Sequence, residues 1–248
     1  MGKIKNIIRR IWSFYVLLKN KLTRFDYKNV PIIIVNFNQL FYLRQMVDFL
    51  LKRGLRRIII IDNCSTYPPL LTYYSEMKDR LTIHKLKNNE GHKVFWEKKR
   101  LFYKYAKGYY VLTDPDILLN ANMPQNFLAI FKKLLDENKH INKVGTALRI
   151  DDIPDSYPRK QEAIEWEKKL NWAIEIDKDI YEAPIDTTFA LYRPGYITGS
   201  FFSGIRIAGD FTARHGGWYV DENNMTEEQL YYSKTATSIY TWKVKKDE

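Results

Sequence analysis

A mostly parallel β-sheet covered by helices on both faces is the fold class this sequence predicts, and three observations predict it. Short apolar runs rich in β-branched residues recur at 30–35, 57–61 and 109–113. These runs are continuous rather than alternating, as in strands buried on both faces. Amphipathic helical stretches separate them, and strand–helix alternation at that rhythm builds parallel sheets.

The elements follow in order. VPIIIV at 30–35 is the first strand, and residues 39–53 form a helix with Phe41, Met46, Phe49 and Leu50 facing inward and Gly54 as its stop. Residues 57–61 are a second strand ending at Asp62, followed by a short helix over 73–80 behind Pro68-Pro69 and a third strand over 81–86. A helix over 94–107 stops at Gly108, and the fourth strand, 109–113, ends at Asp114. Residues 124–138 form a helix with Pro124 at its start, and 144–150 a fifth strand. Beyond residue 150 the pattern weakens to a helix over 162–172 and short strands within 188–192 and 196–207. No internal repeat and no linker interrupts the chain. The change near 150 therefore reads as a change of role within one domain spanning 29–248.

Composition narrows the function. The chain has 248 residues, 45% of them hydrophobic and 28% charged, ample for a packed core and contrary to disorder. One cysteine, Cys64, excludes a disulfide framework and a Cys-rich zinc site, and it fits a reducing, cytoplasmic compartment. The net charge of +11 is uneven. Residues 1–28 carry eight basic residues against Asp26 alone, a net +7 that leaves +4 for the other 220 residues. A body-wide nucleic-acid footprint is not indicated.

Within residues 1–28, Ile4, Ile7, Ile8, Ile11, Phe14, Tyr15 and Leu18 recur at helical spacing. The apolar run 11–18 is too short to span a bilayer, and no small-residue cleavage site follows it. A basic amphipathic helix of this kind fits peripheral attachment to the anionic cytoplasmic leaflet of the cell membrane, with Trp12 and Phe14 at the interface. It fits equally a helix packed on its own domain or on a second subunit.

In open α/β sheets ligands bind at the carboxyl ends of the strands. Those ends here carry Asn36-Phe37-Asn38, Asp62-Asn63-Cys64-Ser65-Thr66, Asn88-Asn89-Glu90-Gly91-His92 and Asp114-Pro115-Asp116. Each alone could be a turn. Four in series at one edge point to a site. No glycine-rich phosphate loop follows the first strand, so a bound nucleotide needs a cation to neutralise its phosphates. The two carboxylates of Asp114 and Asp116, stiffened by Pro115, can share a hard cation with diphosphate oxygens.

In order and spacing, VPIIIVNFNQ, IIIIDNCST, NNEG and YYVLTDPDILL resemble the nucleotide-binding half of the GT-A fold glycosyltransferases, nearest the small, non-processive bacterial members of family 2. The resemblance covers about residues 30–125. It implies a GT-A type, Rossmann-like α/β fold with a nucleotide-sugar half at about 29–125 and a mixed acceptor half at about 126–248. It further implies Mn²⁺- or Mg²⁺-dependent transfer of a sugar, from a donor such as a UDP-sugar, to a glycan or lipid-linked acceptor hydroxyl in surface polysaccharide or glycoconjugate synthesis. By position, Asn36 and Asn38 would lie near the base, Asp62 would contact uracil or ribose, and Asn89 and Gly91 would border the nucleotide. Asp114 would touch ribose and metal-bound water, and Asp116 would ligate the metal. The Glu-Asp dipeptide that usually carries the acceptor base is absent from the second half, as is the Q-x-x-R-W signature of processive synthases.

An inverting transfer needs a base for the attacking hydroxyl. Asp186, in a mostly apolar stretch before two threonines, is the first candidate. Asp151 and Asp152, past the fifth strand, are the alternatives. His215 lies between Arg214 and Gly216-Gly217, and by resemblance a late histidine completes the metal site while Arg214 binds diphosphate. Two other readings stand beside transfer: a sugar nucleotidyltransferase, and a non-catalytic module binding polyanions or sugars.

Overall fold

The computed structural model describes residues 2–22, 25–171, 174–185, 188–195 and 203–236. The chain opens with α1 (Gly2–Leu22), then β1 (Ile32–Asn36), α2 (Phe41–Lys52), β2 (Ile58–Asp62), α3 (Pro68–Glu76) and β3 (Thr82–Lys85). Next come α4 (Val94–Glu97), α5 (Lys99–Tyr105), β4 (Tyr110–Thr113), β5 (Ile117–Leu119), α6 (Phe127–Glu137) and β6 (Lys143–Thr146). The remainder is α7 (Lys160–Asn171), the hairpin β7 (Ile174–Asp177) and β8 (Ile180–Glu182), β9 (Ala190–Tyr192), β10 (Gly204–Ile207), β11 (Ala213–His215) and α8 (Glu227–Thr235).

Nine strands form one sheet in the order β3-β2-β1-β4-β9-β6-β10-β8-β7. β1, β2, β3 and β4 pair in parallel, as do β6 and β10. β9 enters antiparallel between β4 and β6. The α/β fold class is as expected, a parallel half of the sheet passing into a mixed one. The alternation of side chains along a strand divides the core between the two faces. Ile32, Ile34, Ile58 and Ile60 pack with α2, α3 and α6. Ile33, Val35, Ile59 and Ile61 pack with Val94, Phe95 and Phe102 of α4 and α5. An apolar residue at every position of these strands is thus required, because neither face meets water.

Several boundaries differ from the sequence reading. The helix expected over 73–80 begins at Pro68, whose missing N–H and fixed φ suit a first helical turn. The helix expected over 94–107 is two, broken where Lys98 takes ψ 80. Phe41 faces solvent, and Leu43, Met46, Val47 and Leu50 are the buried positions of α2. The helix expected from Pro124 begins at Phe127. The fifth strand stops at Thr146, after which Leu148 makes an isolated bridge to Ala213. Residues 196–202, read as part of a strand region, lie outside the described residues.

Helix α1 is docked on the domain. Trp12 packs edge-on against Tyr103 at 4.8 Å and near Phe102 at 5.7 Å between ring centroids. Ser13 Oγ donates to the Gly195 carbonyl at 2.9 Å, and Asn20 Nδ2 to the Lys107 carbonyl at 2.9 Å. Gly195 has φ +74, and a Cβ there would stand 2.7 Å from Ser13 Oγ and 3.0 Å from Ser13 Cα. Only glycine permits this contact. Gly195→Ala should therefore release α1 while sparing the sheet. Hydrogen exchange would show faster exchange over 2–22 and unchanged protection of β1, β2 and β4; unchanged protection of α1 would count against this docking.

Candidate functional site

The carboxyl edge of the sheet gathers the polar residues, but most are bound to one another. Asp62 is buried at the end of β2, where its carboxylate accepts from Tyr74 Oη at 3.1 Å and from the Ser65 N–H at 3.1 Å. Tyr74 Oη in turn accepts from Asn36 Nδ2 at 2.8 Å. Burial and the Asp62 carboxylate push the Tyr74 hydroxyl far above its usual range, so it stays a donor at all ordinary pH. Tyr74 was not singled out in the sequence, because a tyrosine one helix away gives no local sign of meeting a strand end.

Asn36 and Asn38 are buried beneath the edge. The Asn36 side chain also donates to the Gln39 carbonyl at 2.9 Å. Asn38 takes φ 51, a left-handed conformation that asparagine tolerates. Its Oδ1 accepts from the N–H groups of Thr66 and Tyr67, and its Nδ2 donates to Thr235 Oγ1. Asn38 therefore ties three segments together. The Asn89–Gly91 turn is held to β2 by Asn63, which donates to the Gly91 carbonyl and accepts from the Glu90 N–H. Asn89 Oδ1 accepts from the Gly91 N–H at 3.0 Å.

Asp114, Pro115 and Asp116 form the turn between β4 and β5. β5 pairs antiparallel with β11, setting His215 opposite Ile117 and Arg214 opposite Leu118. The Gly216 N–H donates to the Asp116 carbonyl oxygen at 2.7 Å. His215 Nε2 stands 3.7 Å from Asp116 Oδ2, both side chains being largely buried. The Tyr42 ring covers Gly216 so closely that a Cβ would lie 2.3 Å from it. Burial, and then the Asp116 charge, push the Tyr42 hydroxyl up to about 12. The β4 end and β11, about a hundred residues apart, thus meet at one point.

His215 also opens on a cavity of about 370 Å³ bounded by Tyr157, Trp166, Thr188 and Trp218. The His215 Nδ1 and Thr188 Oγ1 atoms are buried without a hydrogen-bond partner. The cavity floor carries Arg206 and Glu167, a fully buried ion pair at 2.8 Å that the sequence reading did not find. Asp186 lies outside the described residues, next to Ile185 and two residues before the cavity-lining Thr188.

Alternation along β11 sends Arg214 to the other side from His215. There Arg214 binds the Asp152 carboxylate through Nε at 2.6 Å and also through its Nη2. Tyr219 Oη donates to the same carboxylate, and Arg149 Nε lies 3.3 Å away. Burial raises the Asp152 carboxyl, but the hydrogen bonds from Arg214 and Tyr219 and the charges of Arg214 and Arg149 outweigh it and hold it below the usual carboxylate range. Asp151 is exposed and accepts from Arg149 at 2.8 Å, which likewise lowers it. Both are stabilised as anions and so are weak proton acceptors.

A divalent cation is the group that the resemblance of residues 30–125 implies. Among the described residues no three His, Cys, Asp or Glu side chains cluster as a metal site. Asp116 and His215 nevertheless offer a carboxylate oxygen and an imidazole nitrogen 3.7 Å apart. Two ligands on one ion with bonds of about 2.1 Å can stand roughly 3–4 Å apart, so the pair fits a shared cation whose other ligands come from substrate and water.

No family model matches the chain, and no curated protein matches it. Solved structures do. A mannosyltransferase, PcManGT from Pyrobaculum calidifontis in complex with GDP-Man and Mn²⁺, is 13% identical over 91% of this chain and 68% of its own, with a TM-score of 0.47. TarS residues 1–349 from S. aureus is 17% identical over 52% of this chain and 39% of its own, at 0.36. A cytidylyltransferase from Leptospira borgpetersenii is 11% identical over 50% and 56%, at 0.33.

Asp152 gives a prediction with a defined sign. Its folded pKa lies below the unfolded value of about 3.9, so it stabilises the fold above that pH and loses this as pH falls through the folded value. Asp152→Asn should cost about 1–3 kcal/mol at pH 7. In urea titrations the cost should shrink as pH falls below the unfolded value and through the folded one; a cost independent of pH would deny the charged network its role.

Proposed function

We propose that the protein transfers a sugar from a nucleoside diphosphate sugar to an acceptor hydroxyl, with a divalent cation at the Asp114–Asp116 turn. One observation carries this reading. The buried carboxylates Asp62, Glu167 and Glu228 and the partly buried Asp152 each accept hydrogen bonds within 3.5 Å from the protein, whereas the buried Asp116 carboxylate faces His215 at 3.7 Å. A buried carboxylate left with so little compensation is costly, and a cation would supply it.

In this reading Asp116 and His215 hold the cation, with Asp114 beside them and Asp62 near the nucleoside. A divalent cation bound there would neutralise charge on the departing diphosphate. The aromatic cavity beside His215 suits a sugar, since Trp and Tyr offer flat apolar faces and a polar edge. Transfer forms a bond from the acceptor oxygen to the anomeric carbon as the carbon–diphosphate bond breaks, and the hydroxyl proton passes to a base. Asp186 is the proposed base. Asp152 and Asp151, stabilised as anions by arginine, are better suited to fixing Arg214 and Arg149.

A sugar nucleotidyltransferase is the weaker reading, and a local feature weighs against it. Such an enzyme would use the loop after β1 and the start of α2 to cradle phosphates. Here the Phe41 N–H at that helix start is already bonded to the Glu228 carboxylate at 3.0 and 3.2 Å. A negative charge occupies the place where a phosphate would sit. A purely binding module has no need of carboxylates converging on one point.

The first test is thermal unfolding with UDP-, GDP- and dTDP-sugars, with and without Mn²⁺. One donor should raise the melting temperature in a metal-dependent way, and metal-dependent donor hydrolysis should accompany it. Asp116→Ala should lose both by a factor of about 10² or more while unfolding at the wild-type temperature. Full activity in that variant would remove the turn from the mechanism, and pyrophosphate release from a nucleoside triphosphate would favour nucleotidyl transfer. Asp186→Asn should keep donor binding and lose turnover by about 10² or more; unchanged kcat would exclude it as the base.

A further inference from the structure

Among its described side chains helix α1 presents two opposite faces, and one of them is used by the domain. Trp12, Val16 and Asn20 recur every four residues and, with Ser13, make the docking contacts; Val16 is 3% exposed. About half a turn away lie Ile7, Ile11, Phe14, Tyr15 and Leu18, which are 57%, 64%, 64%, 62% and 46% exposed. Ile7, Ile11, Phe14 and Leu18 follow the four-three-four spacing of a single stripe. Half of the exposed large hydrophobic side chains among the described residues thus fall within twelve residues of one helix. A contiguous apolar patch of this kind marks a contact surface.

The domain cannot cover the stripe, because rotating α1 to bury it would expose Trp12 and Val16 and break the bonds to Gly195 and Lys107. The charge pattern selects the occupant. Arg10 and Lys19, both exposed, stand on opposite flanks of the stripe, and residues 1–28 carry a net +7. A two-fold contact with a second copy would set +7 against +7. An anionic surface meets the same segment with attraction.

We propose that α1 is an in-plane membrane anchor, its Ile7–Ile11–Phe14–Leu18 stripe entering an anionic lipid surface while its Trp12–Val16–Asn20 face holds the domain. The helix lies on the bilayer rather than across it, since no described helix is long and apolar enough to cross a membrane. The docking points Lys107 and Gly195 lie just before β4 and just after antiparallel β9, at the amino edge of the parallel strands. Asp62 and Asp114 lie at the carboxyl edge. Membrane contact and nucleotide site are therefore at opposite ends of the strands, and binding leaves the site edge open. The anchor does not depend on what that site does.

The test is sedimentation of the full chain with phosphatidylcholine vesicles and with vesicles containing about one third phosphatidylglycerol, at low and high salt. The full chain should pellet with the anionic vesicles, weaken at high salt and keep a salt-resistant remainder. Ile11→Ser with Phe14→Ser and Leu18→Ser should reduce binding at least tenfold, and Arg10→Gln with Lys19→Gln should remove much of the salt-sensitive part. These side chains are exposed, so melting temperature and any donor-induced shift should stay at wild type, which separates this result from the fate of the sugar-transfer reading. No pelleting at low salt, or equal pelleting by the triple serine variant, would overturn the anchor. So would a concentration-dependent dimer that the triple variant abolishes in the absence of vesicle binding; it would assign the stripe to a second copy.

Discussion

The three-residue pairing of Ile117–Leu119 with Ala213–His215 is the contact on which the rest of the site depends. A D-x-D turn at the end of a strand is only two carboxylates on a loop. Here the returning strand donates the Gly216 N–H to the Asp116 backbone and sets His215 beside its side chain. Tyr42 closes over Gly216, where a Cβ would lie 2.3 Å from its ring. A charge brought into such surroundings interacts more strongly than it would in water, which makes the choice of partner decisive.

The buried and partly buried charges sort by how they are compensated. Glu167 meets Arg206 in a closed pair that braces α7 against β10. Glu228 crosses from α8 to bond the N–H at the start of α2, and its burial raises its pKa. Asp152 fastens Arg214 and Tyr219. These are structural uses of charge, costly to break once one partner is lost. Asp116 and His215 are arranged differently: close, shielded from water and short of hydrogen bonds. The same alternation along β11 that aims His215 into the aromatic cavity aims Arg214 out of it, so a single short strand serves both the site and its scaffold.

Helix α1 follows the same logic of partnered and unpartnered surface. Its polar contacts, Ser13 to Gly195 and Asn20 to Lys107, fix the helix by one face. The apolar stripe is left outward, at the far end of the strands from the candidate site.

Much of this was legible in the chain. Unbroken β-branched runs dictate buried parallel strands, because a strand with helices on both faces tolerates no polar side. Polar clusters at four successive strand ends come together at one edge, since in such sheets those ends share one side. The +7 segment and its apolar period marked α1. The insertion of β9 between β4 and β6 was not legible, nor was the meeting of residues 116 and 215, because both depend on contacts between segments far apart in sequence. Nor could spacing tell that Asn36 and Asn38 would tie loops, that Tyr74 would bond Asp62, or that Arg214 would turn to Asp152. Sequence period sets which way a side chain leaves its own element; only packing decides what it meets there.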